Sequence, residues 1–175
     1  MQNGQIHIYC GDGKGKTTAA VGLGIRACGC GKRVLLVQFL KGESSSERDI
    51  LRKIPNITVM DVPQTIKFTF QMEEAELVQT AALCENMLKQ AINAAQKDNC
   101  DLLILDEVFG ALSCNLLNAN MLLEFMRKKP EKLELVLTGR DPSREILDLA
   151  DYVTEMKKVK HPFDKGMPAR KGIEF

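Results

Sequence analysis

The eight residues Gly11-Asp12-Gly13-Lys14-Gly15-Lys16-Thr17-Thr18 constrain this chain more than any others. They follow a short apolar run, residues 5–10, and a helical pattern opens at Lys16. Strand, glycine-rich loop and helix in that order are the context of a phosphate-binding P-loop. Glycines let the backbone curl so that its N–H groups converge on phosphate oxygens. The helix N-terminus adds positive potential. Lys16 supplies a point charge and Thr17 a hydroxyl for a metal ion. All eight residues are expected to bind a nucleoside triphosphate, with ATP the first choice. The spacing departs from the usual G-x-x-x-x-G-K-[ST]. Cys10 stands where the first glycine would be, and Gly13 is an additional one.

A strand that feeds such a loop needs parallel neighbours. Further apolar runs at residues 33–40, 102–106 and 134–138 are rich in Ile, Val and Leu, as strands covered on both faces should be. Weaker strands are expected at 57–62 and 152–156. Helical patterns fall at 16–28, 73–97, 118–128 and 143–149. In the longest, Leu77, Ala81, Cys84, Leu88, Ala91 and Ala95 make one apolar stripe. Its acidic opening, Glu73, Glu74 and Glu76, suits a helix N-terminus. Strands alternating with helices predict an α/β fold: a RecA-like P-loop domain with an open, mostly parallel sheet and helices on both faces. With 175 residues, one domain over 1–175 is expected. The tail, 157–175, is polar and broken by Pro162, Gly166, Pro168 and Gly172, and is expected to run as a surface loop.

The formal net charge of +1 gives no basic field and argues against non-specific nucleic-acid binding. No apolar run approaches the ~18 residues of a membrane span. The N-terminus shows no signal-peptide pattern. The six cysteines form no CxxC pair and read as reduced core thiols of a cytoplasmic protein.

Three other segments carry chemistry. Leu102-Leu103-Ile104-Leu105-Asp106-Glu107 is an apolar strand ending in two carboxylates, a Walker B pattern. At the end of a strand next to the P-loop, a carboxylate reaches the metal on Thr17. Thr138-Gly139-Arg140 closes another strand, where ligands collect in an open α/β sheet. Arg140 is read either as a phosphate clamp or as a surface arginine. Phe68-Thr69-Phe70 is either a short strand or loop on the core, or an apolar lid over a flat organic ligand. Lys41-Gly42 and Glu47-Arg48 lie at the same ligand-facing edge, with no role that local physics assigns. His161, before Pro162, is read as structural, because no nucleophile partner is evident.

Together with the loop, several stretches resemble the P-loop-type ATP:corrinoid adenosyltransferases of cobalamin biosynthesis. These are Val37-Gln38-Phe39-Leu40-Lys41-Gly42, Leu105-Asp106-Glu107, Leu137-Thr138-Gly139-Arg140, Ile146-Leu147-Asp148-Leu149-Ala150-Asp151, the tail Val159-Lys160-His161-Pro162-Phe163-Asp164-Lys165-Gly166, and Gly172-Ile173-Glu174. The resemblance implies transfer of the 5′-deoxyadenosyl group of ATP to the Co(I) centre of a reduced corrinoid, with triphosphate leaving. It implies that ATP lies in the loop with reversed polarity, which the shifted glycine spacing fits. Lys16, Thr17 and Glu107 would carry the transfer. Thr17, Glu107 and Asp106 would hold magnesium, with manganese the alternative. Arg26 and Arg140 are expected at ATP. Phe68 and Phe70 are expected to displace the lower axial ligand of the corrinoid. A flavoprotein reductant and a homodimer are implied as well. Several relatives carry an extra segment before the first strand that folds over the site, whereas about four residues precede it here. The competing readings are an ordinary P-loop ATPase or kinase, and a nucleotide-dependent binding switch.

Overall fold

Val-Leu-Leu-Val-Gln and Leu-Leu-Ile-Leu-Asp, the strands β2 (Val34–Gln38) and β4 (Leu102–Asp106), are buried at every position. A strand apolar on both faces belongs inside a sheet covered on both sides. The computed structural model, which describes residues 3–41, 46–61 and 72–174, places both inside such a sheet, each with a strand on either side. The other strands are β1 (Ile6–Cys10), β3 (Ile57–Val59), β5 (Glu134–Thr138) and β6 (Tyr152–Glu155). The order is β3-β2-β4-β5-β1-β6, and every pairing is parallel.

Alternate side chains along the strands feed two cores. Ile8, Val37, Leu103, Leu105, Leu135 and Leu137 pack on one face, under helices α3 (Glu74–Gln96), α4 (Val108–Ser113), α5 (Ala119–Lys128) and α6 (Arg144–Asp148). Val34, Leu36, Leu102, Ile104 and Val136 pack on the other, under α1 (Lys16–Gly29) and α2 (Ser46–Leu51). Gly24 lets α1 lie close to the sheet, since a Cβ there would stand 3.1 Å from Ile104 Cδ1.

The helix ends follow local chemistry. Glu73 and Glu76 form a reciprocal capping box at the start of α3. Asn118 caps α5 through its side-chain oxygen, and Ser143 caps α6. The α3 stripe buries Cys84, Leu88, Ala91 and Ala95 as its spacing predicts, with Met87 added.

Three features differ from the sequence expectation. The six-residue helices α2 and α4 were not expected, because one and a half turns are too short to show a period. The Walker B strand β4 is not beside the P-loop strand β1, for β5 lies between them. The tail is not simply a surface loop: it contains a 3₁₀ turn, Pro162–Lys165, and docks on the P-loop. Among the described residues, no helix is long and apolar enough to cross a membrane. The six cysteines are free thiols, and burial pushes Cys84 and Cys100 up to about 11.

Candidate functional site

At the carboxyl ends of β1, β2, β4 and β5 the chain turns into loops around a cleft of about 700 Å³, large enough for a nucleotide. The P-loop forms its floor. Gly11 and Gly15 have φ of 100° and 115°, the left-handed region that favours glycine. The additional Gly13 has a different cause. Its N–H donates to Met156 O at 2.6 Å, and a Cβ there would lie 2.5 Å from that same oxygen. The chain leaving β6 presses on the loop so closely that only glycine fits. Cys10, in the place of the usual first glycine, is the last residue of β1 and points into the core. Its carbonyl accepts from Met156 N–H at 2.8 Å.

Lys16 is buried, and its Nζ donates to Gly11 O at 2.8 Å and Gly13 O at 2.9 Å. Burial lowers its pKa from the usual lysine range, while the Glu107 carboxylate acts in the opposite direction. Beside it, the Thr17 hydroxyl donates to the Asp106 carboxylate, 2.9 Å from Oδ1 and 3.2 Å from Oδ2. Asp106 is fully buried, so its charge must be matched from within the protein. Thr138 Oγ1 donates to it at 2.6 Å, Gln38 Nε2 at 3.2 Å and Lys41 Nζ at 2.9 Å. Lys41 Nζ also donates to Thr17 Oγ1 at 3.1 Å.

Glu107 turns sharply away from the strand, with φ of 58°. Its N–H donates to Thr138 Oγ1 at 2.9 Å, which holds a backbone conformation that non-glycine residues seldom adopt. Its side chain lines the cleft, and burial raises its pKa from the usual glutamate range, with Asp106 adding to the rise. Arg140 is exposed on the cleft rim.

The tail supplies a wall. Asp12 Oδ1 accepts from Lys158 N–H at 2.9 Å, and that bond holds the Asp12 carboxyl below its ordinary value. Lys14 Nζ pairs with Glu174 Oε1 at 3.0 Å, and Arg170 holds Glu174 through both carboxylate oxygens. His161, Gly172, Ile173 and Glu174 therefore face the cleft. Phe163 N–H donates to His161 Nδ1 at 3.2 Å, so a neutral His161 carries its proton on Nε2.

The structure thus brings together around the cleft all the P-loop residues expected at ATP except Gly11, whose carbonyl accepts from Lys16, and sets Glu107 and Arg140 on its lining, with Asp106 bonded to Thr17 beneath. Arg26 is placed elsewhere. It is exposed on α1, does not line the cleft, and its charge acts on Tyr9. Phe68 and Phe70 lie outside the described residues. Sequence reasoning gave no role to Gln38, Lys41, Thr138 or Glu174, and read His161, which faces the cleft, as structural. The available signal was their position: polar residues at the carboxyl ends of apolar strands, and a tail rich in charge.

Comparison with known proteins adds to this geometry. The chain shares its fold with a KaiC-like protein, PH0186, from Pyrococcus horikoshii OT3. The TM-score is 0.57 at 18% identity, over 89% of this chain and 73% of the other. That likeness supports the α/β P-loop architecture. A corrinoid adenosyltransferase from Escherichia coli K12 is 35% identical over 175 residues, 99% of this chain and 87% of the relative. The corrinoid adenosyltransferase CobA of Salmonella typhimurium is 36% identical with the same coverage. The sequence profile of one family matches residues 2–175, and by that match and those identities the chain belongs to the ATP:corrinoid adenosyltransferase family BtuR/CobO/CobP.

Proposed function

We propose that this protein transfers the 5′-deoxyadenosyl group of ATP to the Co(I) centre of a reduced corrinoid. The Co(I) electron pair forms the Co–C5′ bond. The C5′–O bond to the α-phosphate breaks, and its electrons leave with triphosphate. The observation that carries this reading is family membership along the whole chain, joined to a cleft lined by the P-loop, Glu107 and Arg140. Cobalt is the nucleophile, so the protein needs no activated Ser, Cys or His. Its task is to orient C5′ and to stabilise charge growing on the leaving triphosphate. Lys16, the loop amides and Arg140, which line the cleft, would do this.

The donor set suits a hard divalent cation, magnesium or in its place manganese. Thr17 offers a hydroxyl, and Asp106 and Glu107 offer carboxylates, all oxygen. Three such groups do not close a cage, which fits a cation that arrives with the phosphates of ATP. Bound there, it would neutralise charge on the triphosphate.

By family resemblance, Phe68 and Phe70 present an apolar face to the corrinoid that excludes its lower axial ligand and eases reduction of Co(II). A reduced flavoprotein supplies the electron, and the protein works as a cytoplasmic homodimer.

The test mixes protein, ATP, magnesium and chemically reduced cob(I)alamin without oxygen. Light-sensitive adenosylcobalamin and free triphosphate are expected in equal amounts. ADP or phosphate in their place would favour a kinase or ATPase. No product, with active reductant confirmed, would refute the proposal.

A further inference from the structure

Lys41 lines the cleft, and the reaction does not account for its position. It follows β2, and its Nζ stands 2.9 Å from Asp106 Oδ2, 3.1 Å from Thr17 Oγ1 and 3.5 Å from Glu47 Oε1. The first two oxygens belong to the residues best suited to the metal. An ammonium that touches both leaves no space for a divalent ion held by the same pair, and like charges repel. The third contact is a second resting place. Glu47 on α2 also accepts from Gln38 Nε2 at 3.0 Å, so its carboxylate is fixed close by. Buried Asp106 explains why a cation is needed at all. Without metal, its charge would otherwise face only hydroxyl and amide donors.

We propose that Lys41 is a positioning residue that stands in for the divalent cation. Its ammonium holds Thr17 and Asp106 together in the nucleotide-free protein, and it moves toward Glu47 when metal and ATP enter. This rests on the reading that Thr17 and Asp106 hold the metal. Its consequence is that metal affinity without nucleotide is kept low by competition, so that cation and ATP bind together.

The test titrates Mn2+ alone into nucleotide-free protein, followed by electron paramagnetic resonance. Lys41→Met should bind Mn2+ about tenfold more tightly than the wild type, the scale of a typical coupling between two binding events. Lys41→Gln, which keeps a neutral donor to Asp106, should shift the same way and serves if the first variant folds poorly. Lys41→Arg retains the cation and should stay near the wild-type affinity. A merely structural role would loosen the site and weaken Mn2+ binding. Unchanged or weaker binding in both neutral variants would overturn the proposal. The wild type with ATP is the separating arm. If it binds Mn2+ and the neutral variants show no gain, the stand-in role alone fails. If it binds none, the metal reading fails and the inference with it.

Discussion

Thr138 on β5 donates its hydroxyl to Asp106 on β4 at 2.6 Å and accepts the N–H of Glu107 at 2.9 Å. One side chain thus ties both carboxylates of the Walker B pair. It also explains how β4 serves a P-loop it does not adjoin. The strand between them, β5, ends in the residue that aims Asp106 at Thr17.

Thr138→Val keeps the shape and deletes the hydroxyl. Asp106 then loses its shortest hydrogen bond, and the Glu107 N–H loses its partner beside a strained turn. A loss of about 1–3 kcal/mol is expected, the usual cost of leaving a buried polar group unsatisfied. Urea unfolding measures it. Thr138→Ser, which restores the hydroxyl, should recover most of the loss; a serine variant as unstable as the valine one would contradict this account.

Lys16→Ala should abolish useful turnover and leave the fold intact. The ammonium now rests on two loop carbonyls, and in the reaction it faces the leaving triphosphate. Removing one such preorganised charge lowers kcat by about 10²–10³-fold. Anaerobic formation of the adenosylated corrinoid gives the rate, and circular dichroism checks the fold. A near-normal rate would remove Lys16 from the proposed mechanism.

Acid sensitivity is expected from Asp101 and from Glu174, since an arginine holds each carboxyl down at about 2. Arg33 grips the Asp101 carboxylate through Nε and Nη2, and this holds its pKa down at about 2. As pH falls below about 4 the unfolded chain takes up a proton that the folded one refuses, so stability drops until about pH 2. Glu107 acts in the opposite sense. Burial raises it, so its contribution to folding is present at low pH and is lost as pH rises through its raised value. Asp101→Asn should flatten the slope of unfolding free energy between pH 4 and pH 2, measured by denaturant titration at several pH values. An unchanged slope would place the acid sensitivity elsewhere.

What could be read from the chain beforehand was what repeats locally. Buried strands announce themselves as apolar runs, and α3 by its stripe, because packing against a layer imposes a period. The P-loop was legible because phosphate binding demands glycines in fixed order. The tail wall was not. Lys158 meets Asp12 across 146 positions and Glu174 meets Lys14 across 160, and no local pattern encodes such pairs. Lys41 and Thr138 looked like any polar residue closing a strand. Only the sheet order, which brings β2, β4 and β5 side by side, converts them into one network around Asp106. Arg26 stands outside the cleft lining although its neighbour Ile25 lines it, because adjacent helical residues point about 100° apart and that phase was not legible in the spacing.

Gly13 joins the two halves of the problem, and its substitution tests both. The backbone of Met156 lies against it, so a methyl group at position 13 would meet the Met156 oxygen at 2.5 Å, a contact that side chains essentially never make. Neither partner is a flexible side chain that can step aside. Gly13→Ala must therefore move either the loop or the chain beyond β6. Moving the loop disturbs the amides that face phosphate, and moving the tail breaks the Asp12–Lys158 contact that anchors the wall. Both routes should weaken ATP binding, and the overpacking should cost about 1–3 kcal/mol of stability. Calorimetric titration with ATP and a thermal melt measure the two effects. A Gly13→Ala variant with wild-type affinity and melting temperature would mean that the close approach of Met156 has no part in shaping the loop.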